Sequence, residues 1–461
     1  MLKKILLAST VLAIAAAPVL AQPVTLRIVS KDLLTTNPQD VAHIERIEQA
    51  LAAQGTEVDL QIVDLPSSGY ADALSVMMLG GDIPDIIYFQ GGDAMMAEQG
   101  VLEDLTPYIE NSQHIKAGLW PHNVERLKNY PYLLYVYPPR NPQAVVRQNW
   151  LEESGVADPQ TVEDYTALFQ AIKDQHGAYG ITAAESTAEL DSIFNQAFGV
   201  SATWLKDENG EWVNSRVSTQ QRDKIAYYAQ LRADGLLDPE YVTTKWDIKE
   251  DKFYTGRVGV ILGSSPEVID IYGGKLRQVE PDATITLLDP PEGPGGKGIQ
   301  AVDVSKESRG FAISSLSEHK EEAFAVLDFM ASPEGQMMDR MGFEGEHYNA
   351  DGETYTVTDQ MATWYARFMV TSNWTPPVTW QSDAAVKSLE NTAEYFVADN
   401  SFVWPAEYAA DTDAANTVYN SWMARFISGE VPMDQWDAYV AEWNAAGGQR
   451  LTDYAKTVLA E

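Results

Sequence analysis

Apolar and polar positions alternate with two different periods along this chain, and the switches between them outline its elements. "VTLRIVS" alternates with period two and reads as a strand, and the spacing around Ile44 to Ala52 predicts an amphipathic helix. "EVDLQIVDL" is a second strand, followed by a helix through Ala73, Val76, Met77 and Leu79. In "GGDIPDIIYFQGGD" the run Ile86 to Phe89 is too short for a helix and rich in β-branched and aromatic residues, so it reads as a buried strand opened by Pro84 and closed by Gly91-Gly92. Strand–helix–strand order at this spacing implies parallel βαβ units, whose ligands bind at the carboxyl ends of the strands.

Further along, "YLLYVYPP" (132–139), "RVGVILGSS" and "SRGFAISS" read as strands. Thr161 with Asp164 is a capping pattern for a helix to about Lys173, and another helix over 219–233 ends at Gly235. "WLKDENGEWV" is a hairpin with an Asn-Gly turn, and "HKEEAFAVLDFMAS" is a helix with one apolar face. The Pro/Gly-rich run 289–298 is a loop, and the Trp-rich tail is mostly helical. The fold class is α/β with a helical C-terminal part.

Composition narrows the function. A chain of 461 residues is long enough for two or three domains. The net charge of −35 opposes nucleic acid and anionic membranes as partners. Residues 1–21 have the charged head, apolar centre and small-residue end of a cleavable signal peptide, which implies a periplasmic protein. There is no cysteine, hence no disulfide and no thiol for lipid attachment.

The order of pieces resembles the extracellular solute-binding proteins of ABC importers, of the maltose-binding kind. Gly81-Asp82-Ile83-Pro84-Asp85 and the run Gly100 to Pro107 carry the first part of the likeness. "VRQNWLEESGVADPQTVEDYTALFQAIK", "LRADGLLDPE", "FYTGRVGV" and "AFAVLDFMASPEGQ" follow in the family's order, and "MGFEGEHY" is similar to a subgroup with alginate-oligosaccharide binders and lipoprotein-type receptors. The resemblance implies two α/β lobes with ligand between them: an N-terminal lobe of 23–138 plus 290–330 and a C-terminal lobe of 139–289 plus 331–461. Crossings are expected near Tyr137-Pro138 and Asp289-Pro290.

It also implies a carbohydrate ligand, the permease subunits of an importer as partners, a monomer, and no catalytic residue or cofactor. A secreted carbohydrate-active hydrolase is the alternative from another class, and a receptor that feeds a chemotaxis protein would use the same cleft. Phe89 and Asp93 lie near a sugar-contacting aromatic and acid of the relatives, the other reading being core and helix cap. Asp32 resembles another contacting acid, or is a turn residue. Arg140 and Arg309 suit carboxylates or vicinal hydroxyls, unless each forms a structural ion pair. Trp204, Trp374, Trp380 and Trp404 are candidate stacking platforms or core, and Ser264 is a hydroxyl donor or, with Ser265, part of a helix start. "DENGE" at 207–211 and the six scattered His give no metal spacing, so no metal site is expected.

Overall fold

The computed structural model of the protein describes residues 23–138, 142–156, 158–300 and 307–459. Its strands in chain order are β1 Val24–Val29, β2 Val58–Ile62, β3 Ile86–Gln90, β4 Gln143–Arg147, β5 Tyr179–Ile181, β6 Trp204–Lys206, β7 Trp212–Asn214, β8 Val258–Gly263, β9 Ile285–Leu287, β10 Ile299–Gln300 and β11 Arg309–Ile313. Two four-stranded sheets, β11-β3-β1-β2 and β5-β8-β4-β9, form the centres of two lobes. No helix among the described residues is long and apolar enough to cross a membrane.

In the first sheet β1 runs parallel to β2 and β3, with Ile28 opposite both Ile62 and Ile86. The helices Pro38–Ala53 and Tyr70–Leu79 are the crossovers. Asn37 caps the first through its side chain, and Ile44, Ile47 and Leu51 give that helix its buried stripe. The sheet is covered on both faces. Ile86 and Tyr88 point into one apolar cluster, while Ile87 and Phe89 point into another with Tyr70, Leu74 and Met78.

In the second sheet β5 is parallel to β8, and β4 is antiparallel to both β8 and β9. Ala144 and Val146 face a large cluster shared with the tail helices, and Val145 faces the opposite one. The hairpin β6–β7 forms as the Asn-Gly turn predicts, with Gly210 at φ 79°. The helices Val162–His176 and Thr219–Ala233 lie where the sequence places them, the first with the Thr161–Asp164 capping box.

Three expectations change. The stretch 132–138 is extended but pairs with β11 only at Leu134 and Phe311. Beyond that bridge the carbonyl of Val136 takes the amide of Val370 and that of Tyr137 is bonded to the His122 ring, so no ladder continues. Residues 290–300, expected in the first lobe, stay on the second. Glu292 bridges to Thr161, Gly293 and Gly295 lie tight against Ala197 and Gly199, and β10 pairs with Phe396–Val397. β10 thus stays with the second lobe, while β11, from Arg309, lies in the first sheet.

The third change concerns 331–372, expected in the second lobe, most of which packs on the first, while Asp359–Thr363 packs on the second-lobe helix Pro266–Val279. Ala331, Phe368 and Met369 join its apolar cluster. Asp339, fully buried in the helix Pro333–Met341, accepts the amides of Arg367 (2.8 Å), Phe368 (3.1 Å) and Met369 (3.3 Å). It also faces His43 Nε2 at 3.3 Å, while Arg367 pairs with Asp40 at 3.0 Å. The chain returns to the second lobe through 373–382, because the helix Asp383–Tyr395 packs on β9 and on the helix Pro266–Val279.

Candidate functional site

The groove between the lobes is built from strand ends and the passages that join them. On the second lobe, β8 stops at Gly263 and the loop Ser264-Ser265 opens the helix Pro266–Val279. Ser265 Oγ accepts the amide of Val268 at 3.3 Å, and Pro266 suits the first turn, where no donor is lost. On the first lobe Trp120 is fixed by its indole N–H, which donates to the Val370 carbonyl at 2.7 Å. The third passage, "NWTPPVTW", is too proline-rich to be helical and lays Trp374 and Trp380 between these walls.

Together they enclose a space of about 270 Å³. Trp120, Pro138 and Val370 line it from the first lobe, Ser265, Glu267 and Leu389 from the second, and Trp374, Pro376 and Trp380 from the passage. Flat indoles beside a few polar groups suit a ligand with an apolar face and a hydroxylated rim. At the edge Arg340, 8% exposed, reaches across to Glu267, 23% exposed, at 2.7 Å. Burial alone would push the Glu267 carboxyl up, but the Arg340 guanidinium outweighs it and holds the group below its usual range. The same guanidinium stands 6.0 Å from the Trp380 ring.

The sequence-predicted residues divide into groups. Trp374 and Trp380 meet in the space just described, with Ser264 beside it as the half-buried neighbour of Ser265. Asp32 lies in the turn after β1, and burial together with the Asp32 carboxylate pushes the Tyr365 hydroxyl well above its ordinary range. Arg309 opens β11 opposite Gln90 and pairs with Glu307 at 3.3 Å, which is the ion-pair alternative. Arg140 lies outside the described residues.

Phe89 and Asp93 are corrected by the structure. Phe89 is 1% exposed in a strand whose two faces are both covered, so its ring has no surface to offer. Asp93, also 1% exposed, accepts from the hydroxyls of Tyr132 (3.1 Å) and Ser308, with its helix beginning at this residue. Trp204 is corrected too. It is 2% exposed under the tail helices and stacks on Phe402, while Trp404 packs in the same aromatic cluster with Tyr408 and Tyr454. Among the described residues no group of three or more His, Asp or Glu side chains is gathered to hold a metal ion.

Sequence reasoning missed Trp120, Glu267 and Arg340. "SSPE" at 264–267 marks a helix start, and an acid in the first turn is ordinary there. Only the return of 331–341 to the first lobe turns that acid toward an arginine.

Two α/β lobes facing each other across a groove, joined by three passages of chain, define a two-lobed binding protein that holds a small solute between its halves. The chain belongs to the bacterial extracellular solute-binding protein family, whose pattern it matches over residues 42–337. It is similar in structure to the alginate-binding protein AlgQ2, with a TM-score of 0.72 and 17% identity over 96% of this chain and 99% of that one. It is also similar to the S. pneumoniae ABC-transporter substrate-binding protein FusA in complex with fructo-nystose, with a TM-score of 0.68 and 17% identity over 94% and 98% of the two chains. Among curated proteins it is 22% identical over 329 residues to the lipoprotein LipO of Bacillus subtilis (strain 168), covering 65% of this chain and 64% of LipO, just under two thirds of that relative.

Proposed function

We propose that this protein is the substrate-binding component of an ABC importer, which captures a carbohydrate between its lobes and presents it to the permease subunits. The observation that carries this reading is the pair Trp374 and Trp380, set with Trp120 in the space between the lobes. An indole face stacks on the apolar face of a sugar ring, while nearby hydroxyls and the Arg340–Glu267 pair suit its hydroxyls. AlgQ2 and FusA are named for carbohydrate ligands, which supports the class without choosing the sugar.

On this reading the protein is a monomer without catalytic activity, released outside the cytoplasm after residues 1–21 are cleaved. The first lobe comprises 23–138 with 307–372, and the second 142–300 with 383–459. A ligand gripped from both lobes favours the closed arrangement by its differential affinity for it, and that arrangement is what the permease reads.

The test is calorimetry of the mature chain against neutral oligosaccharides, oligouronides and polyols, with Trp374→Ala and Trp380→Ala alongside. Saturable binding of a carbohydrate is expected, weakened by roughly tenfold in each variant, about 1.4 kcal/mol. A folded protein that binds none of these solutes overturns the proposal. So does chromatography that shows the protein shortening the oligosaccharides it binds.

A further inference from the structure

The indole-lined space between the lobes, about 270 Å³, is smaller than the roughly 300–1,000 Å³ of sites that enclose a drug-sized ligand. It cannot enclose a long oligosaccharide, whose remaining units must lie along the neighbouring strand ends. On the second lobe that surface is the carboxyl edge of β8 and of its parallel neighbour β5. The helix Trp246–Tyr254 enters β8 through the turn 255–257, so it runs back along the strand and starts beside the strand's carboxyl end. Lys249, in its first turn, confirms the placement: Nζ donates to the carbonyl of Leu262, the residue before the strand's last, at 3.2 Å. From Leu262 to Ser265, which lines the indole space, the chain spans at most about 11 Å.

Trp246 opens this helix and is the most exposed of the tryptophans, at 38%. Its ring is nevertheless fixed. The indole N–H donates to Glu250 at 2.6 Å, and Glu250 is held in turn by Lys275 (2.8 Å) and the Tyr254 hydroxyl (3.2 Å). Lys249 Nζ stands 3.4 Å from the ring centroid and is anchored by Glu189 at 2.6 Å, so one face of the indole is covered by a buried cation. No aromatic ring among the described residues stacks on the other face, which carries the exposure. An immobilised, open aromatic face loses little conformational entropy when a ligand stacks on it. The rim beside it is polar. Lys245, the preceding residue, pairs with Glu185 on the loop leaving β5, and both side chains are about half exposed. Glu185 has φ 63°, a backbone held by its amide donating to the carbonyls of Tyr241 (2.9 Å) and Thr244 (3.0 Å).

We propose that Trp246 is a second stacking platform, which receives a unit of an oligosaccharide whose end lies in the space lined by Trp374 and Trp380, with Lys245 and Glu185 meeting hydroxyls at its edge. The inference rests on the carbohydrate-capture reading above and specifies chain length. It makes the preferred ligand a linked oligosaccharide rather than a mono- or disaccharide.

The experiment is calorimetry of the mature chain with malto-oligosaccharides, fructo-oligosaccharides and oligouronides, each from the disaccharide to the hexasaccharide. In a series that binds, wild-type affinity is expected to rise at least about tenfold from the disaccharide to the longer members. Trp246→Ala should remove most of that gain while leaving the disaccharide within about twofold, and Trp246→Phe, which keeps an aromatic face, should retain part of it. Trp374→Ala, by contrast, should weaken every length alike. Affinity independent of length, or a gain unchanged in Trp246→Ala, overturns this inference and leaves carbohydrate capture standing. So does a Trp246→Ala protein that loses the disaccharide as much as the hexasaccharide, since the residue would then act through the fold. Binding of no member of any series overturns both.

Discussion

The two lobes use buried charge differently. In the first, one buried centre is an anion, alongside the buried cation Arg126. Asp339 collects three backbone amides of 367–369 and the His43 ring, and so fastens the returning segment of chain to the helix Pro38–Ala53. In the second, the buried centres are lysines. Lys224, Lys249 and Lys252, each 4% exposed or less, reach Asp191 (2.7 Å), Glu189 (2.6 Å) and Asp238 (2.7 Å). These lysines stand on helices, while Glu189 and Asp191 stand on the helix that follows the β5 loop. Asp339 anchors a returning segment of chain, whereas the second-lobe lysines tie neighbouring helices and loops to one another.

The largest effect separating the two arrangements is expected at Asp339. Asp339→Ala leaves three buried amides without acceptors and should cost about 3–5 kcal/mol in urea denaturation. Lys249→Met keeps similar volume and leaves Glu189, 14% exposed, with some access to water, so about 1–2 kcal/mol is expected. A larger loss at Lys249 than at Asp339 would break the comparison.

A second distinction is pH. Burial pushes the His43 imidazole below its ordinary value, and Arg46, which donates to its Nδ1 at 3.0 Å, also disfavours a second ring proton; Asp339 opposes this only in part. A histidine with a depressed folded-state pKa contributes stability that is complete above about pH 6.5 and is lost as the pH falls toward the folded value. The urea midpoint should therefore fall between pH 7.5 and 5.5, and His43→Gln should flatten that dependence. A midpoint that rises on acidification would contradict the assignment.

The smallest effect is expected where the lobes touch. Glu267→Gln removes the charge facing Arg340 and should cost about 1 kcal/mol or less, because the carboxylate retains contact with solvent. It should, however, change the scattering profile of the ligand-free protein, since this pair spans the groove. A profile identical to wild type would show that the pair does not set the separation of the lobes.

Much of this was legible in the chain, for reasons particular residues make plain. Period-two alternation located β1 and β2, short apolar runs ending in turn residues located β3 and β8, and the Thr161–Asp164 pattern fixed a helix start, because those signals are local. Trp374 and Trp380 were legible as candidates because the resembling family supplies stacking aromatics from this late region. Phe89 was misjudged because the resemblance to a sugar-contacting aromatic outweighed the unbroken apolar run Ile86–Phe89, which already marks a strand buried on both faces. Trp204 and Trp404 lie beneath tail helices whose docking depends on contacts distant in sequence. The lobe assignment of 331–372 was illegible for the same reason: Asp339 meets His43 and Arg367 only after the chain has crossed twice.

One feature of the first sheet bears on how the molecule comes into being. Strand β3 is bordered by β11, so Gln90 finds its neighbour only at Arg309. A growing polypeptide that has emitted its opening third still carries a naked ribbon margin along Ile86–Gln90, and nothing nearby can seal it. Completion of this sheet waits for the far part of the message.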